Sequence, residues 1–236
     1  MTKPENNKLN IPIHIGFIPD GNRRWARERN LPTLEGHRKG YSIMKQLPQW
    51  FFDRGVKVVS VYAFSAENWN RSRDEINYLM KLLGEALVND IGEIGKNGVR
   101  IIFSGRIDEL PGDLPQACQT AMEKTRSGTR GIFNICLNYG GREEIVDAIK
   151  KIIKNNVTID QIHEGMVRKY LYQNDLPDPD LIVRTSGEQR ISGFLLWESS
   201  YSEYLFLKKY WPEMEKSDVD VILNDYDKRE RRFGGQ

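Results

Sequence analysis

The sequence has few cysteines, no long apolar stretch and no excess of either charge. Its two cysteines, Cys118 and Cys136, have no metal-ligand spacing and indicate buried thiols in a reduced, cytoplasmic protein. No apolar run approaches the roughly 20 residues that cross a membrane, so any membrane contact should be peripheral. The 35 Lys and Arg residues nearly balance the 33 Asp and Glu residues, and the net charge of +2 argues against a nucleic-acid-binding protein.

The common nucleotide-binding motifs are absent as well. Neither the G-x-x-x-x-G-K-[ST] loop nor the G-x-G-x-x-G turn occurs. Residues 1–10 are polar and predict a disordered leader rather than a signal peptide or an anchor. Residues 11–236 show no repeat, linker or break in composition, and their length suits a single domain.

Strand-like and helix-like patterns alternate along this domain. Apolar or β-branched runs predict strands at 13–18, 56–63, 99–103, 132–137, 181–183 and 204–207. Helical spacing predicts helices at 40–53, 74–89, 114–125, 142–153 and 217–226, with Pro48 as a possible kink and Ser217 as a possible cap. The alternation predicts an α/β fold with a central, mostly parallel sheet flanked by helices.

The first strand leads into the most informative turn of the chain. Pro19 ends the strand, Asp20-Gly21-Asn22 forms a tight turn, and a helix can begin at the two arginines that follow. A strand, a glycine turn and an opening helix present backbone N–H groups to an anion. The carboxylate of Asp20 among these donors suggests a divalent cation shared with phosphate oxygens. An ordinary corner with a solvated aspartate fits this stretch equally well.

The segment Asp20-Gly21-Asn22-Arg23-Arg24-Trp25-Ala26 resembles the signature of the cis-prenyltransferases, the undecaprenyl diphosphate synthase family. Further blocks resemble this family in the same order, at residues 35–37, 62–71, 138–142, 184–203 and 229–235. The resemblance implies a single catalytic domain with a hydrophobic tunnel. It also implies Mg²⁺-dependent condensation of an allylic prenyl diphosphate with isopentenyl diphosphate to give a Z-configured polyprenyl diphosphate. The D-D-x-x-D motifs of trans-type synthases are absent.

The resemblance also implies roles for individual residues. The allylic diphosphate site would comprise Asp20, Gly21, Asn22, Arg23, Arg24, Trp25 and His37. The isopentenyl diphosphate site would comprise Arg184, Arg190 and Ser192. A third group of substrate-binding residues, near the reacting carbons, would comprise Ser65, Asn68, Trp69, Arg71 and Glu75, although Trp69 suits packing better than chemistry. The catalytic residues would be Asp20, His37, Ser65 and Asn68, and the Mg²⁺ ligands Asp20 and Glu203.

Several of these features have plain structural alternatives. Isolated arginines usually form surface salt bridges, and a lone histidine such as His37 is usually structural. The stripe of Ile76, Leu79, Met80, Leu83 and Leu87 fits core packing, whereas the resemblance makes part of it a tunnel wall that sets product length, with Tyr41 as a further wall position.

The match departs from the family pattern at a few positions. Thr33 stands where many members have an arginine that contacts the allylic diphosphate, which removes a charged hydrogen bond of roughly 1.5–3 kcal/mol. Arg23, Arg27 and Arg38 are candidates to replace it. Pro19, Gly193 and Glu198 stand where Met, Asn and Gln are frequent. These departures leave open the allylic donor, the product length, and whether coupling is head-to-tail or head-to-middle, as in some relatives.

The C-terminal block bears on oligomeric state, and the full set of blocks bears on two competing functions. Arg231, Phe233 and Gly234 resemble a tail that reaches the neighbouring active site, which implies a homodimer. A non-catalytic partner subunit shares the fold but tends to lose the catalytic aspartate and the phosphate-binding residues, which are present here. A generic phosphate-binding protein would require the order of the blocks to be coincidence.

Overall fold

A six-stranded sheet organises the computed structural model, which describes residues 9–229. The strands are β1 (His14–Ile18), β2 (Val58–Ser65), β3 (Val99–Ser104), β4 (Gly131–Tyr139), β5 (Leu181–Arg184) and β6 (Glu203–Phe206). Their order is β3-β4-β2-β1-β5-β6, and every neighbouring pair is parallel. The predicted α/β fold is confirmed, and the sheet is parallel throughout. Most of the predicted leader, residues 1–8, lies outside the described residues.

The α-helices connect the strands from β1 to β5, and a last helix follows β6. They are α1 (Asn22–Glu28), α2 (Thr33–Phe52), α3 (Arg73–Asn89), α4 (Ile91–Lys96), α5 (Leu114–Thr125), α6 (Gly141–Lys154), α7 (Glu164–Arg168) and α8 (Ser217–Asp227). Within residues 9–229, none of them combines the length and the apolar character that a bilayer crossing requires.

Two details of the predicted helices were wrong. Helix α2 begins at Thr33 rather than at residue 40, and Pro48 lies buried inside it without ending it. Its first two turns consist mainly of charged residues and glycine, so the helical spacing of apolar residues is not visible there. Ser217 does not cap α8, because the cap position is Lys216 and no side chain caps this end; instead, the Asp218 carboxylate accepts a hydrogen bond from the Glu215 N–H at 2.7 Å.

The sheet lies between the two largest buried clusters of the described residues, because successive strand residues point to opposite faces. Phe17 and Val61 enter the larger cluster, and their neighbours Ile18 and Tyr62 enter the smaller one. The cysteines are buried free thiols, one in each cluster. Burial raises the pKa of Cys118 to about 12, which fits the predicted role of an inert core residue.

One buried carboxyl group on the second face has an unusual environment. Glu198 is 8 % exposed, and its Oε2 has no hydrogen-bond partner within the described part of the chain. Burial, together with the nearby charge of Glu144, raises the pKa of Glu198 to about 8. The carboxyl group is therefore mostly protonated in the folded protein at neutral pH, which makes it similar to glutamine in shape and charge.

Replacing Glu198 with glutamine should stabilise the protein between pH 5 and pH 8. The carboxyl group ionises near pH 4.5 when the chain is unfolded and near pH 8 when it is folded. The free energy of unfolding therefore falls by about 1.4 kcal/mol per pH unit between these values. The glutamine variant lacks this loss. Urea unfolding at pH 5, 6.5 and 8 should show that the variant has the higher free energy of unfolding and that its gap from the natural chain widens with pH. A constant gap would contradict the prediction.

Candidate active site

The turn after β1 holds the main chain of Asp20 in one position. The Thr185 hydroxyl accepts a hydrogen bond from the Asp20 N–H at 2.8 Å and donates one to the Asp20 carbonyl at 2.7 Å. The Trp211 N–H donates to the same carbonyl at 2.9 Å. Gly21 has a φ of +103°, and a Cβ there would lie 2.5 Å from Tyr210 Cδ1, so both conformation and space require glycine.

The Asp20 carboxylate lies between two guanidinium groups. Arg24 Nη2 is 3.1 Å from one carboxylate oxygen, and Arg184 Nη2 is 2.8 Å from the other. Burial acts to raise the pKa of Asp20, but the hydrogen bond to Arg184 and the charges of both arginines outweigh it and hold the pKa below its usual value. Asp20 is therefore an anion at neutral pH, although its side chain is only 26 % exposed.

Arg184 joins Asp20 to the loop that follows β5. Its Nη1 donates to the Ser192 hydroxyl at 2.9 Å and to the Arg190 carbonyl at 2.6 Å. The guanidinium of Arg184 is nearly buried, whereas the side chain of Arg190 is 59 % exposed. Arg184 therefore fixes the shape of the loop, and Arg190 is the member that extends from it into solvent.

Glu188 connects the arginines of the two predicted diphosphate sites. Its Oε1 accepts a hydrogen bond from Arg24 at 3.0 Å, and its Oε2 accepts one from Arg190 at 2.5 Å. Arg24 also donates to the Ser186 hydroxyl at 2.7 Å. The Glu188 carboxylate thus holds the guanidinium groups of Arg24 and Arg190 at positions from which both can turn toward a bound anion.

His37 belongs to a second polar group beside the turn. Its Nε2 lies 2.9 Å from Glu75 Oε1, the same oxygen that accepts a hydrogen bond from Arg71 at 3.0 Å. Burial lowers the pKa of His37 despite its contact with Glu75, so the ring is neutral and donates from Nε2. Gly36 permits this arrangement, because a Cβ there would lie 2.1 Å from the Asn22 carbonyl oxygen and push α2 away from α1.

The short 3-10 turn after β2 carries the third predicted group. The Ser65 N–H donates to Asn68 Oδ1 at 3.2 Å, which closes the turn. Trp69 faces the core instead: its ring centroid lies 5.0 Å from that of Phe64, and its Nε1 donates to Asn138 at 2.7 Å. The expectation that Trp69 suits packing agrees with this position.

These groups line three adjoining cavities. The first polar cavity measures about 690 Å³ and contains Asp20, Gly21, Asn22, Arg23, Arg24, Arg27, Thr33, His37 and Arg71. The second polar cavity measures about 590 Å³ and contains Asp20, Ser65, Asn68, Arg71, Arg142, Arg184, Arg190 and Ser192. The apolar cavity measures about 160 Å³ and extends from His37, Asn68 and Arg71 between α2, α3 and the sheet. Pro19 and Arg71 line all three cavities.

Some predicted site residues lie elsewhere. Trp25 lines none of these cavities and stacks under Arg29, 4.8 Å from the guanidinium carbon. Glu75 lines none of them either, but it holds His37 and Arg71, which do. The tail residues Arg231, Phe233 and Gly234 lie outside the described residues.

Glu203 is not near Asp20 within the chain. It begins β6 and pairs with Leu181 at the amino end of β5, whereas Asp20 follows the carboxyl end of β1. In a parallel sheet the amino ends of the strands lie on one side and the carboxyl ends on the other, so the two residues are on opposite sides. Glu203 instead forms an ion pair with Arg229 at 3.0 Å. A metal ion shared by Asp20 and Glu203 of one chain is therefore not supported.

Sequence reasoning missed three residues of this site. Thr185 and Glu188 lie inside the block from 184 to 203, and Arg142 ends the block from 138 to 142, but none was assigned a role. Their positions could have indicated a role, because Thr185 follows Arg184, and Glu188 and Arg142 lie within blocks that resemble the family.

The donor set at Asp20 fits a magnesium ion that arrives with its substrate. Within residues 9–229, no group of three or more His, Cys, Asp or Glu side chains could hold a metal ion alone. Mg²⁺ is commonly bound by one or two carboxylates, waters and substrate phosphates. Asp20 supplies one ionised carboxylate, open to both polar cavities.

Comparison with known proteins identifies similar chains. The prenyltransferase family model, which describes undecaprenyl diphosphate synthases, matches residues 18–234. The farnesyl-diphosphate-specific ditrans,polycis-undecaprenyl-diphosphate synthase of Micrococcus luteus is 41 % identical over 98 % of this chain and 96 % of its own. The geranylgeranyl-diphosphate-specific tritrans,polycis-undecaprenyl-diphosphate synthase of Picrophilus torridus is 43 % identical over 98 % of this chain and 92 % of its own. Among solved structures, the lavandulyl diphosphate synthase of Lavandula x intermedia, in complex with dimethylallyl diphosphate, has a TM-score of 0.90 and 32 % identity, and the match covers 94 % of this chain and 98 % of that one.

Proposed function

Because this chain belongs to the undecaprenyl diphosphate synthase family of prenyltransferases, we propose that it is a Mg²⁺-dependent cis-prenyltransferase. It condenses an allylic prenyl diphosphate with isopentenyl diphosphate and gives a Z-configured polyprenyl diphosphate. The observation that carries the proposal is the junction of two arginine-lined polar cavities with one apolar cavity beside Asp20.

The three cavities match the needs of the reaction. Two diphosphates must be held close together, and a hydrocarbon chain must be kept from water. The first polar cavity, with Arg23, Arg24, Arg27 and His37, suits the allylic diphosphate, since the apolar cavity begins at His37. The second polar cavity, with Arg184, Arg190 and Ser192, suits isopentenyl diphosphate.

The chain's own residues then serve the reaction in distinct ways. The allylic C–O bond breaks and its electron pair leaves with the diphosphate, while the double bond of isopentenyl diphosphate bonds to the allylic carbon. The isopentenyl unit then loses a proton to an oxygen of the departing diphosphate, which restores a double bond. Arg24 stabilises the charge on the departing diphosphate, and Arg190 holds the second diphosphate still. Ser65 and Asn68 line the second polar cavity, where they orient diphosphate or assist the removal of the proton. When bound at Asp20, Mg²⁺ neutralises charge on the leaving group.

Product analysis with defined donors tests this function. The purified protein is incubated with Mg²⁺, isopentenyl diphosphate and dimethylallyl, geranyl, farnesyl or geranylgeranyl diphosphate, and each donor is also tested without isopentenyl diphosphate. Chromatography and NMR should show Z-configured polyprenyl diphosphates that require both substrates and are lost with EDTA. No product from any donor would refute the proposal.

Head-to-middle coupling is a second candidate. It is favoured by Thr33 and by the likeness to a lavandulyl diphosphate synthase solved with dimethylallyl diphosphate. The reactions without isopentenyl diphosphate separate the two candidates, because a branched product from dimethylallyl diphosphate alone requires no isopentenyl unit. A non-catalytic partner subunit would give no product in any of the reactions.

Replacing Thr33 with arginine should tighten binding of the allylic donor about three- to tenfold. Thr33 lines the first polar cavity with Arg23 and Arg27, whereas Arg38 does not line it. A further arginine adds a charged hydrogen bond to phosphate, although the existing cations reduce its benefit. The measurement is the donor KM at saturating isopentenyl diphosphate, compared with an Arg38→Ala variant, whose KM should stay unchanged. An unchanged KM in the Thr33 variant would mean that Arg23 and Arg27 already supply the contact.

We further propose a cytoplasmic homodimer that meets the membrane only through its lipid product. The support for a dimer is the sequence resemblance of residues 229–235. Light scattering of the full chain and of a chain ending at residue 228 tests whether this tail contributes to dimerisation.

A further inference from the structure

A polar cluster interrupts the apolar cavity at the end of α3. The Tyr41 hydroxyl donates a hydrogen bond to the Asp90 carboxylate, and Lys45 Nζ lies 2.8 Å from the same carboxylate. Lys45 also pairs with Glu93 at 2.7 Å. Tyr41, Lys45 and Asp90, which we call the α3 latch, all line the cavity, whose other walls around them are the side chains of Met44, Leu83, Leu87 and Ile94.

The latch is one of two polar attachments between α2 and α3. In the first turn of α3, Glu75 binds His37 of α2. At the opposite end, Asp90 binds Tyr41 and Lys45 of α2 and separates α3 from α4. The apolar side chains between these two attachments, among them Leu79 and Leu83, face the cavity instead of closing on α2. Helix α3 is thus a wall of the cavity that polar contacts hold to α2 at both ends.

The size of the cavity makes movement of this wall necessary. A volume of about 160 Å³ holds on the order of ten water-sized groups, which is too few for a polyprenyl chain of many isoprene units. Product elongation therefore requires a wall to yield. The His37–Glu75 attachment is nearly buried and lies beside the diphosphate site, whereas Lys45 and Asp90 are 30 % and 20 % exposed. The latch is therefore the more solvent-accessible of the two attachments.

We infer that the α3 latch limits how far α3 moves from α2 and thereby sets the length at which chain elongation stops. The inference rests on the proposed function and adds a determinant of product length that is polar and remote from the diphosphates. In this arrangement Tyr41 and Lys45 act as positioning residues for α3.

Product length in latch variants tests the inference. The variants Tyr41→Phe, Lys45→Met and Asp90→Asn keep the approximate shape of each side chain. The first removes the hydrogen bond to Asp90, the second removes the ion pairs of Lys45 with Asp90 and Glu93, and the third removes the charge of Asp90. We expect each to shift the main product to longer chains by at least one isoprene unit, measured by chromatography at equal conversion of the allylic donor. The control is Lys81→Gln, which removes an exposed 3.9 Å ion pair with Glu85 on α3 and should leave product length unchanged.

The outcomes separate the inference from the function on which it rests. Products of unchanged or shorter length in all three variants, with melting temperatures within a few degrees of the natural chain, would overturn the role of the latch. A shift in Lys81→Gln equal to that in the latch variants would also overturn it, because any loosening of α3 would then suffice. Absence of product from the natural chain with every donor would instead refute the proposed function.

Discussion

Replacing Asp20 with alanine or asparagine should lower turnover about a thousandfold. A metal ion that neutralises charge on a leaving group contributes several kcal/mol to the transition state, and each 1.4 kcal/mol corresponds to a factor of ten. Asp20 is the ionised carboxylate that opens to both polar cavities. Its loss removes the Mg²⁺ ligand and the anion that positions Arg24 and Arg184.

The two Asp20 variants distinguish chemistry from folding. Alanine leaves the nearly buried Arg184 without its carboxylate, which destabilises the protein, whereas asparagine keeps a hydrogen-bond acceptor there. The main-chain contacts of residue 20 with Thr185 and Trp211 persist in both. The asparagine variant should therefore melt close to the natural chain and still be inactive at any Mg²⁺ concentration. An exposed control, Asp160→Ala, should retain full turnover. Activity restored by excess Mg²⁺ in the asparagine variant would contradict a direct metal role.

Replacing Arg190 with alanine should raise the KM for isopentenyl diphosphate about 10- to 100-fold. The guanidinium is mostly exposed at the second polar cavity, and among residues 9–229 Glu188 is the one side chain that holds it, so it can turn to a phosphate. A hydrogen bond between charged groups contributes roughly 1.5–3 kcal/mol, which gives this range. The KM of Arg190→Lys should lie between those of the natural chain and the alanine variant, because lysine keeps the charge and loses the fork geometry.

The substrate affected by the Arg190 variant shows which cavity holds which diphosphate. Steady-state kinetics should leave the KM of the allylic donor within about twofold of the natural value. Arg130, another partly exposed arginine paired with an aspartate, Asp53, lines none of the three cavities, so Arg130→Ala should change neither KM. An increase confined to the allylic donor would reverse the assignment of the two polar cavities.

The parts of the site that sequence could predict are local or follow from a general rule of parallel sheets. Pro19 and Gly21 mark the end of a strand and the start of a helix by their own backbone properties. Ligands of open parallel sheets bind at the carboxyl ends of the strands, a rule that places Asp20 after β1 and Arg184 at the end of β5 at one edge. The same rule excludes Glu203, because a parallel strand that begins near residue 204 places it at the opposite edge.

What sequence could not predict depends on contacts between distant elements. The start of α2 at Thr33 and the burial of His37 follow from the close approach of Gly36 to the Asn22 carbonyl, which belongs to another helix. The contact of Glu188 with Arg24 and the attachment of Asp90 to Tyr41 join residues from separate parts of the chain. No periodic pattern records such pairs.

The hydrogen bond from Arg184 to Asp20 has a consequence for biosynthesis. The two residues lie 164 positions apart, so a ribosome must add about 70 % of the chain after Asp20 before its partner is made. At about 5–20 residues per second, this takes roughly 8–30 s. Once β2 has been made, β1 can pair with it while its other edge awaits β5. Catalytic competence is therefore acquired only near the end of translation, and a nascent chain that stops early has no active site, however much of its sheet has formed.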